Sequence, residues 1–264
     1  MIINKILLIV AMSKEAKSIV EKMKMVKIES SIDSHLPVDV YETVTEKGRV
    51  ILVVSGACPI HKVDRIGSQG LNLVTWEAIK AYSPNLIINP GTGGGFKRNG
   101  SIPGDIYVST ESIKYHDRLF YPDMHFFNYG IGSYKCLEVP RISKQLGLKR
   151  GVVSTGGSML ASLQEEEQME ENNASIKEME AAGIAEVAQL KGIPFIALKI
   201  ITDLVDTTEC PQHQFTNNFD GLISHLANKV SQLCTILLGE SLDVINQNEI
   251  EGSATTSTFS LTTK

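Results

Sequence analysis

The amino-acid sequence predicts an α/β domain built on a largely parallel but mixed sheet covered by helices. Short β-branched runs, apolar almost without interruption, recur along the chain as strands buried on both faces require. Stretches with helical spacing alternate with them, the signature of a sheet with helices packed on it. The mixed character comes from Glu46-Lys47-Gly48-Arg49, which joins two of the runs as a hairpin turn and makes that pair antiparallel.

Taken in order, Lys5 to Met12 is apolar but far shorter than the roughly 20 residues of a membrane span, and no small-residue cleavage site follows it. It reads as a buried first strand, followed by a helix over Lys14 to Met23. Val38 to Val44 and Val50 to Ser55 are the hairpin strands, and Ile66 to Tyr82 is a helix. Leu86 to Asn89, Asp105 to Ser109 and Val152 to Ser154 are further strands. The acidic run Glu165 to Glu171 reads as a solvated helix face, the usual meaning of a charge run. Ala181 to Lys191 is a helix ended by Gly192 and Pro194, Phe195 to Thr202 a strand, and most of Asn218 to Leu238 the last helix. Residues 1–240 thus form one domain, and the Ser/Thr/Asn-rich segment 241–264 is expected to be a disordered tail.

The chain has 264 residues, enough for a sizeable single core, and its 42% apolar and 21% charged composition is that of a globular enzyme. A net charge of −5 without a Lys/Arg cluster argues against nucleic acid or an anionic membrane surface as partner. Cys58, Cys136, Cys210 and Cys234 are scattered, as are the six histidines, so neither a metal site nor a disulfide framework is expected. A reducing, cytoplasmic home is the corresponding expectation.

Three carboxylates stand where strands end or helices begin, which is where α/β sheets place their ligand sites: Glu15 after the first strand, Glu180 before Ala181, and Asp203 at the end of Leu198 to Asp203. Each alone is more simply a helix cap, but their joint placement points to chemistry. Asn89 to Phe96 is a glycine run whose backbone can approach an anion or a sugar hydroxyl. It has neither the lysine ending of a phosphate loop nor a dinucleotide fingerprint, and a tight turn also explains it. Tyr115-His116-Asp117 contains a ready proton carrier, although an adjacent His-Asp more often serves local structure. With no nucleophile elbow and no cysteine in a motif, the residues point to a site driven by carboxylates.

Together, Ala11 to Ala16, Asn89 to Phe96, Gly104-Asp105, Tyr115-His116-Asp117, Glu178 to Ala181 and Thr202-Asp203 resemble the methylthioadenosine/S-adenosylhomocysteine nucleosidases, with the motifs in order between about Lys5 and Leu238. The stretch Leu198 to Asp206 is especially similar to plant-type members. The resemblance implies a three-layer α/β/α sandwich of the nucleoside phosphorylase type, with a central twisted mixed sheet, and hydrolysis of 5'-methylthioadenosine without metal or organic cofactor. It makes Asp203 the general acid to adenine N7, framed on its strand by Thr202 and Leu198, and Glu15 the general base to water. Glu180 would bind the ribose 2'- and 3'-hydroxyls, with Met179 packed on the ribose and Glu178 in the same substrate-binding segment. Thr92 and Lys199 would lie near the water and the ribose. Met159 and Leu160 would stack on adenine and read it through the backbone, while Met12 and Val63 would line the thioalkyl pocket. A small-molecule nucleoside is the implied partner, together with a second subunit near Tyr115 to Pro122, hence a homodimer.

Two features depart from the family pattern: Gly157, where relatives usually carry aspartate, and the segment Ser55 to Lys62. Two rival readings follow from the same resemblance. A purine nucleoside phosphorylase shares the fold but needs cations for a phosphate dianion, whereas this chain offers Ser13, Lys14 and Glu15 after its first strand. A non-catalytic storage or ligand-binding relative would have no need to keep Glu15, Glu180 and Asp203 together.

Overall fold

The computed structural model describes residues 1–118, 121, 123–207 and 219–245. Strand β1 (Lys5–Val10) lies between β4 (Gly48–Val54) and β5 (Leu86–Gly95), parallel to both. β3 (Asp39–Thr45) returns antiparallel to β4 through the expected hairpin, with Thr45 opposite Gly48, and β2 (Val26–Ile28) forms the edge. Beyond β5 come β11 (Phe195–Leu204), parallel to it, and β6 (Ile106–Ser109), antiparallel to β11. β9 (Lys149–Thr155) pairs parallel with β6, and β7 (Ser112–Tyr115) and β8 (Tyr134–Lys135) complete that side. β10 (Ala174–Glu178) pairs with both β9 and β5, so β5, β11, β6, β9 and β10 close into a ring at one end of the mixed sheet.

Two helix layers cover the sheet. α1 (Ser13–Met23), α4 (Pro140–Leu146) and α7 (Phe219–Leu237) pack on one face, and α2 (Ser68–Tyr82) and α6 (Ala181–Leu190) on the other. The continuous apolar runs follow from this. In β1, Ile6, Leu8 and Val10 enter the core under α1 and α7, while Leu7 and Ile9 enter the core under α2 and α6. A strand covered on both faces has no polar side to show. The remaining helices are short: α3 (Phe127–Ile131), and α5 (Leu163–Glu171), whose capping box pairs Ser162 with Glu165 and whose acidic residues face solvent as expected.

The glycine run read as a loop is the second half of β5. A Cβ at Gly93 would stand 2.7 Å from Ile176 and 2.9 Å from the Lys177 carbonyl of β10, and one at Gly94 would stand 2.6 Å from Val205 of the segment after β11. Strands pressed together this closely leave no room for side chains, so glycine lets β5 continue rather than breaking it. α2 begins at Ser68 rather than Ile66 because Gly67 sits at φ 93°, outside the helical region. β2, β7, β8, β10, α3 and α4 have no counterpart in the sequence reading; each is too short to display a period. Of the residues assigned to the tail, Ser241 bridges Ile2, Asp243 meets the Met1 ammonium at 3.1 Å and Ile245 is buried. Residues 246–264 and Asn218 lie outside the described residues. Among the described residues no helix is long and apolar enough to cross a membrane.

Packing between α2 and α6 depends on a missing side chain. A Cβ at Gly183 would meet the Asn72 amide at 2.1 Å and Ser68 Cβ at 2.8 Å. Gly183→Ala is therefore expected to destabilise the fold by about 1–3 kcal/mol, read as a lower midpoint in urea unfolding with an unchanged slope.

Candidate active site

An open cavity of about 850 Å³, counted with its solvent-facing mouth, lies where the C-terminal ends of β1, β5, β10 and β11 converge. It gathers Met12, Glu15, Thr92, Met159, Glu178, Met179, Glu180, Lys199 and Asp203, nine residues that the sequence distributes over most of the domain. Val63 and Leu160 are not among its lining residues; their side chains are 59% and 76% exposed. The wall expected of Val63 is supplied by Ile66, next to the α2 N-terminus.

At the buried end stands a lysine among glutamates. Lys199 is 1% exposed and its Nζ lies 2.8 Å from Glu178 Oε2. Burial works against the charge on Lys199, but Glu178, Glu180 and Glu15 around it hold its pKa above the ordinary value. Burial would raise Glu178 too, yet Lys199, Thr155 and the first backbone N–H of α6 keep it lowered and ionised. Both of its oxygens are committed: Oε1 accepts from the Thr155 hydroxyl and the Ala181 N–H, and Oε2 from Lys199 and the N–H groups of Glu180 and Ala181. Glu178, which also lines the cavity, is thus the anion that closes the N-terminus of α6 and anchors the lysine.

Two residues on, Glu180 lines the same cavity. It accepts from the Gly67 N–H at 3.0 Å, and burial together with the neighbouring Glu178 charge pushes its pKa up to about 7. Glu15, in the first turn of α1 and 3% exposed, accepts from the Thr92 N–H at 2.9 Å. Burial raises its pKa against the pull of Lys199 and Thr92. Asp203, on β11, accepts from the Thr202 hydroxyl at 2.7 Å, and burial raises it against Thr202 and Lys177. A carboxyl group with a raised pKa is a proton carrier suited to neutral pH.

β5 sets the spacing of the two carboxyl groups. The Gly91 position stands against Glu15 and Lys199, the Gly94 position against Asp203. Three strand residues span about 10 Å along the strand, so the two carboxyl groups meet β5 at separate points.

Asn89, Gly91, Gly93, Lys177 and Val205 also line the cavity, and the sequence reading assigned none of them an individual role there. Asn89 is 1% exposed, and its amide donates to the Ile9 carbonyl at 2.8 Å, tying β5 to β1. His116 is not in the cavity. It sits beneath the Gly156 turn, where a Cβ would come within 2.2 Å of its Nε2, and its Nδ1 contacts Ser154 Oγ at 3.2 Å. Burial, reinforced by Lys177, lowers its pKa to about 4. The neighbouring Asp117 accepts from the Gly157 N–H at 2.6 Å, so the His-Asp pair shapes the loop, the local role weighed in the sequence.

A mixed sheet with a carboxylate-lined cavity at its strand ends defines an enzyme of the nucleoside phosphorylase class. A family model described as the phosphorylase superfamily matches residues 5–238. A 5'-methylthioadenosine nucleosidase of Arabidopsis thaliana is 33% identical over 91% of this chain and 90% of its own length. A 5'-methylthioadenosine/S-adenosylhomocysteine nucleosidase from the same plant is 32% identical over 91% of this chain and 94% of its own. The apo structure of Arabidopsis 5'-methylthioadenosine nucleosidase superposes with a TM-score of 0.88 at 32% identity, covering 92% of this chain and 99% of that one. The chain belongs to the phosphorylase superfamily, and within it to the methylthioadenosine/S-adenosylhomocysteine nucleosidases.

Lys199→Met would leave three buried carboxylates facing one another. It is expected to cost about 3–5 kcal/mol, the usual penalty for breaking a buried ion pair. The native Glu178 has a lowered pKa, so its contribution is present above the unfolded carboxyl pKa and lost in acid. Without the lysine the carboxyl groups bind protons instead, so the gap between variant and native protein should narrow as pH falls, measured by chemical unfolding across pH 5–8.

Proposed function

We propose that the chain hydrolyses the N-glycosidic bond of 5'-methylthioadenosine to adenine and 5-methylthioribose. One observation carries this reading: two carboxyl groups with raised pKa values, Glu15 and Asp203, line one cavity at positions set three strand residues apart by β5. The similarity to the Arabidopsis nucleosidases, and the substrate in their names, supplies the leaving group and the sugar.

Adenine leaves poorly as an anion. In this reading Asp203 gives its proton to N7 as the bond to the anomeric carbon lengthens, and the Thr202 hydroxyl stabilises the aspartate left behind. Glu15 takes a proton from the water that attacks the anomeric carbon, and its charge opposes the positive charge developing on the ribosyl group. The Thr92 N–H fixes the Glu15 carboxylate. Glu180 accepts from the 2'- and 3'-hydroxyls, with Met179 against the ribose, Met12 and Ile66 toward the 5' side and Met159 on the adenine side. The anion at Glu15 favours water over a phosphate dianion at the attacking position.

The active form is a homodimer in this reading. Val63, Ile66, Leu73 and Trp76 expose apolar surface from the cavity rim along α2, and part of the expected contact segment, residues 119, 120 and 122, lies outside the described residues. Cys58, Cys136 and Cys234 stand as free thiols, which fits a reducing, cytoplasmic location.

Adenine release from methylthioadenosine, with and without phosphate and with S-adenosylhomocysteine in parallel, tests the proposal. Release in the absence of phosphate is expected; strict phosphate dependence would make the chain a phosphorylase, and the parallel arm sets the range of 5' tails accepted. Asp203→Asn and Glu15→Gln are each expected to lower kcat by roughly 10²–10⁴-fold. KM should rise as pH falls through about 7, because protonation of Glu180 removes the anion that grips the ribose hydroxyls; a flat KM between pH 6 and 8 would remove Glu180 from that role.

A further inference from the structure

Lys177 has no part in the chemistry above, yet it joins the two halves of the adenine end of the cavity. It lies on β10, one residue before Glu178, and is 7% exposed. Its Nζ donates to the Ser158 carbonyl at 2.6 Å and to the Met159 carbonyl at 2.8 Å. These two carbonyls belong to the segment between β9 and α5, of which Met159 lines the cavity while Leu160, like Leu163 at the start of α5, faces solvent, at 76% and 78% exposure. The segment has little hydrophobic burial of its own to hold it down. Asp117, Glu165 and the neutral His116 lie near Lys177, and across β5 stands Asp203: Lys177 pairs with Gly94 from one side and Asp203 of β11 pairs with the same Gly94 from the other.

We propose that Lys177 is a positioning residue for the nucleosidase reaction: its ammonium fastens the Ser158–Met159 backbone that borders adenine and sets a fixed positive charge beside Asp203. The inference rests on the reading of Asp203 as the acid and adenine as the leaving group. Both parts follow from one buried charge. Two charge-assisted hydrogen bonds to consecutive carbonyls hold a loop whose apolar side chains point outward. The same cation favours the anionic form of Asp203, so it limits how far burial raises that acid and stabilises the carboxylate formed as the proton passes to N7. Burial in turn lowers the pKa of Lys177, and Asp203, Glu165, Glu178 and Asp117 keep the ammonium charged.

Lys177→Met keeps most of the stem and removes both the donors and the charge; Lys177→Gln removes the charge and keeps an amide donor on a side chain one atom shorter. For Lys177→Met, the KM for methylthioadenosine and the Kd for adenine are expected to rise roughly tenfold or more, as loss of bonds from a charged donor implies. For Lys177→Gln the rise is expected to be smaller. In both variants the basic limb of kcat/KM should move to higher pH. Asp203 works protonated, activity is lost as pH rises through its pKa, and removing the nearby cation raises that pKa. A merely structural lysine would lower the unfolding midpoint without moving this limb. An unmoved limb in both variants, or unchanged adenine affinity in Lys177→Met, overturns the proposal, and Lys177→Gln decides it if the methionine variant does not fold. Native protein that neither releases nor binds adenine would overturn the functional reading instead, and these controls are read before any variant.

Discussion

Taking the Lys199 ammonium out of water costs several kcal/mol unless the surroundings return that energy as ion pairing and hydrogen bonds. Glu178 does so from one side, and Glu178 is itself held by the Thr155 hydroxyl and the opening N–H groups of α6. The charge pair therefore joins β11, β10, β9 and the start of α6 at a single point. Two of the other three carboxyl groups of the cavity, Glu15 and Glu180, are arranged around it. Glu15 and Glu180 approach the same lysine without displacing Glu178, which leaves them buried, only partly compensated and with raised pKa values. Glu15 and Glu180 keep raised pKa values because Glu178 is the carboxylate that the lysine and the α6 N–H groups satisfy.

This division of labour explains what could be read from the sequence. Glu15, Glu180 and Asp203 were recognisable because each stands at a strand end or helix start, a position with a chemical meaning. Glu178 stands two residues before Glu180 and is the same residue type, so although both line the cavity nothing in the chain distinguishes the glutamate whose oxygens are committed from the one with a raised pKa. Only the direction of the β10–α6 junction does that. Lys177 was hidden for a similar reason: its partners are backbone carbonyls of residues 158 and 159, which carry no sequence signal.

The fold was legible wherever an element is long. β1, β4 and β11 carry the alternation between two cores in their own residues, α7 carries a stripe turned to one of them, and the hairpin at residues 46–47 carries its turn chemistry. β10 did not show, because five residues of mixed polarity become a strand only when β5 and β9 bind them on both edges. The composition of the Asn89 to Gly95 stretch suggested a turn, whereas it is strand. Glycine usually interrupts a strand, but here the crowding of β10 and β11 makes it the residue that permits one. Val63 was placed in the wall by resemblance, while the half-exposed Ile66 borders the cavity there.

That crowding has a consequence for how such an enzyme diversifies. The cavity floor is strand backbone whose neighbours already occupy the space where side chains would grow, so a change at Gly93 or Gly94 perturbs fold and chemistry together and is removed twice over by selection. The rim is different: residues 56–66 and 158–163 are mostly exposed and touch the floor at few points. New substrate preferences in this lineage should therefore accumulate at the rim, with the reaction inherited and the choice of nucleoside free to drift.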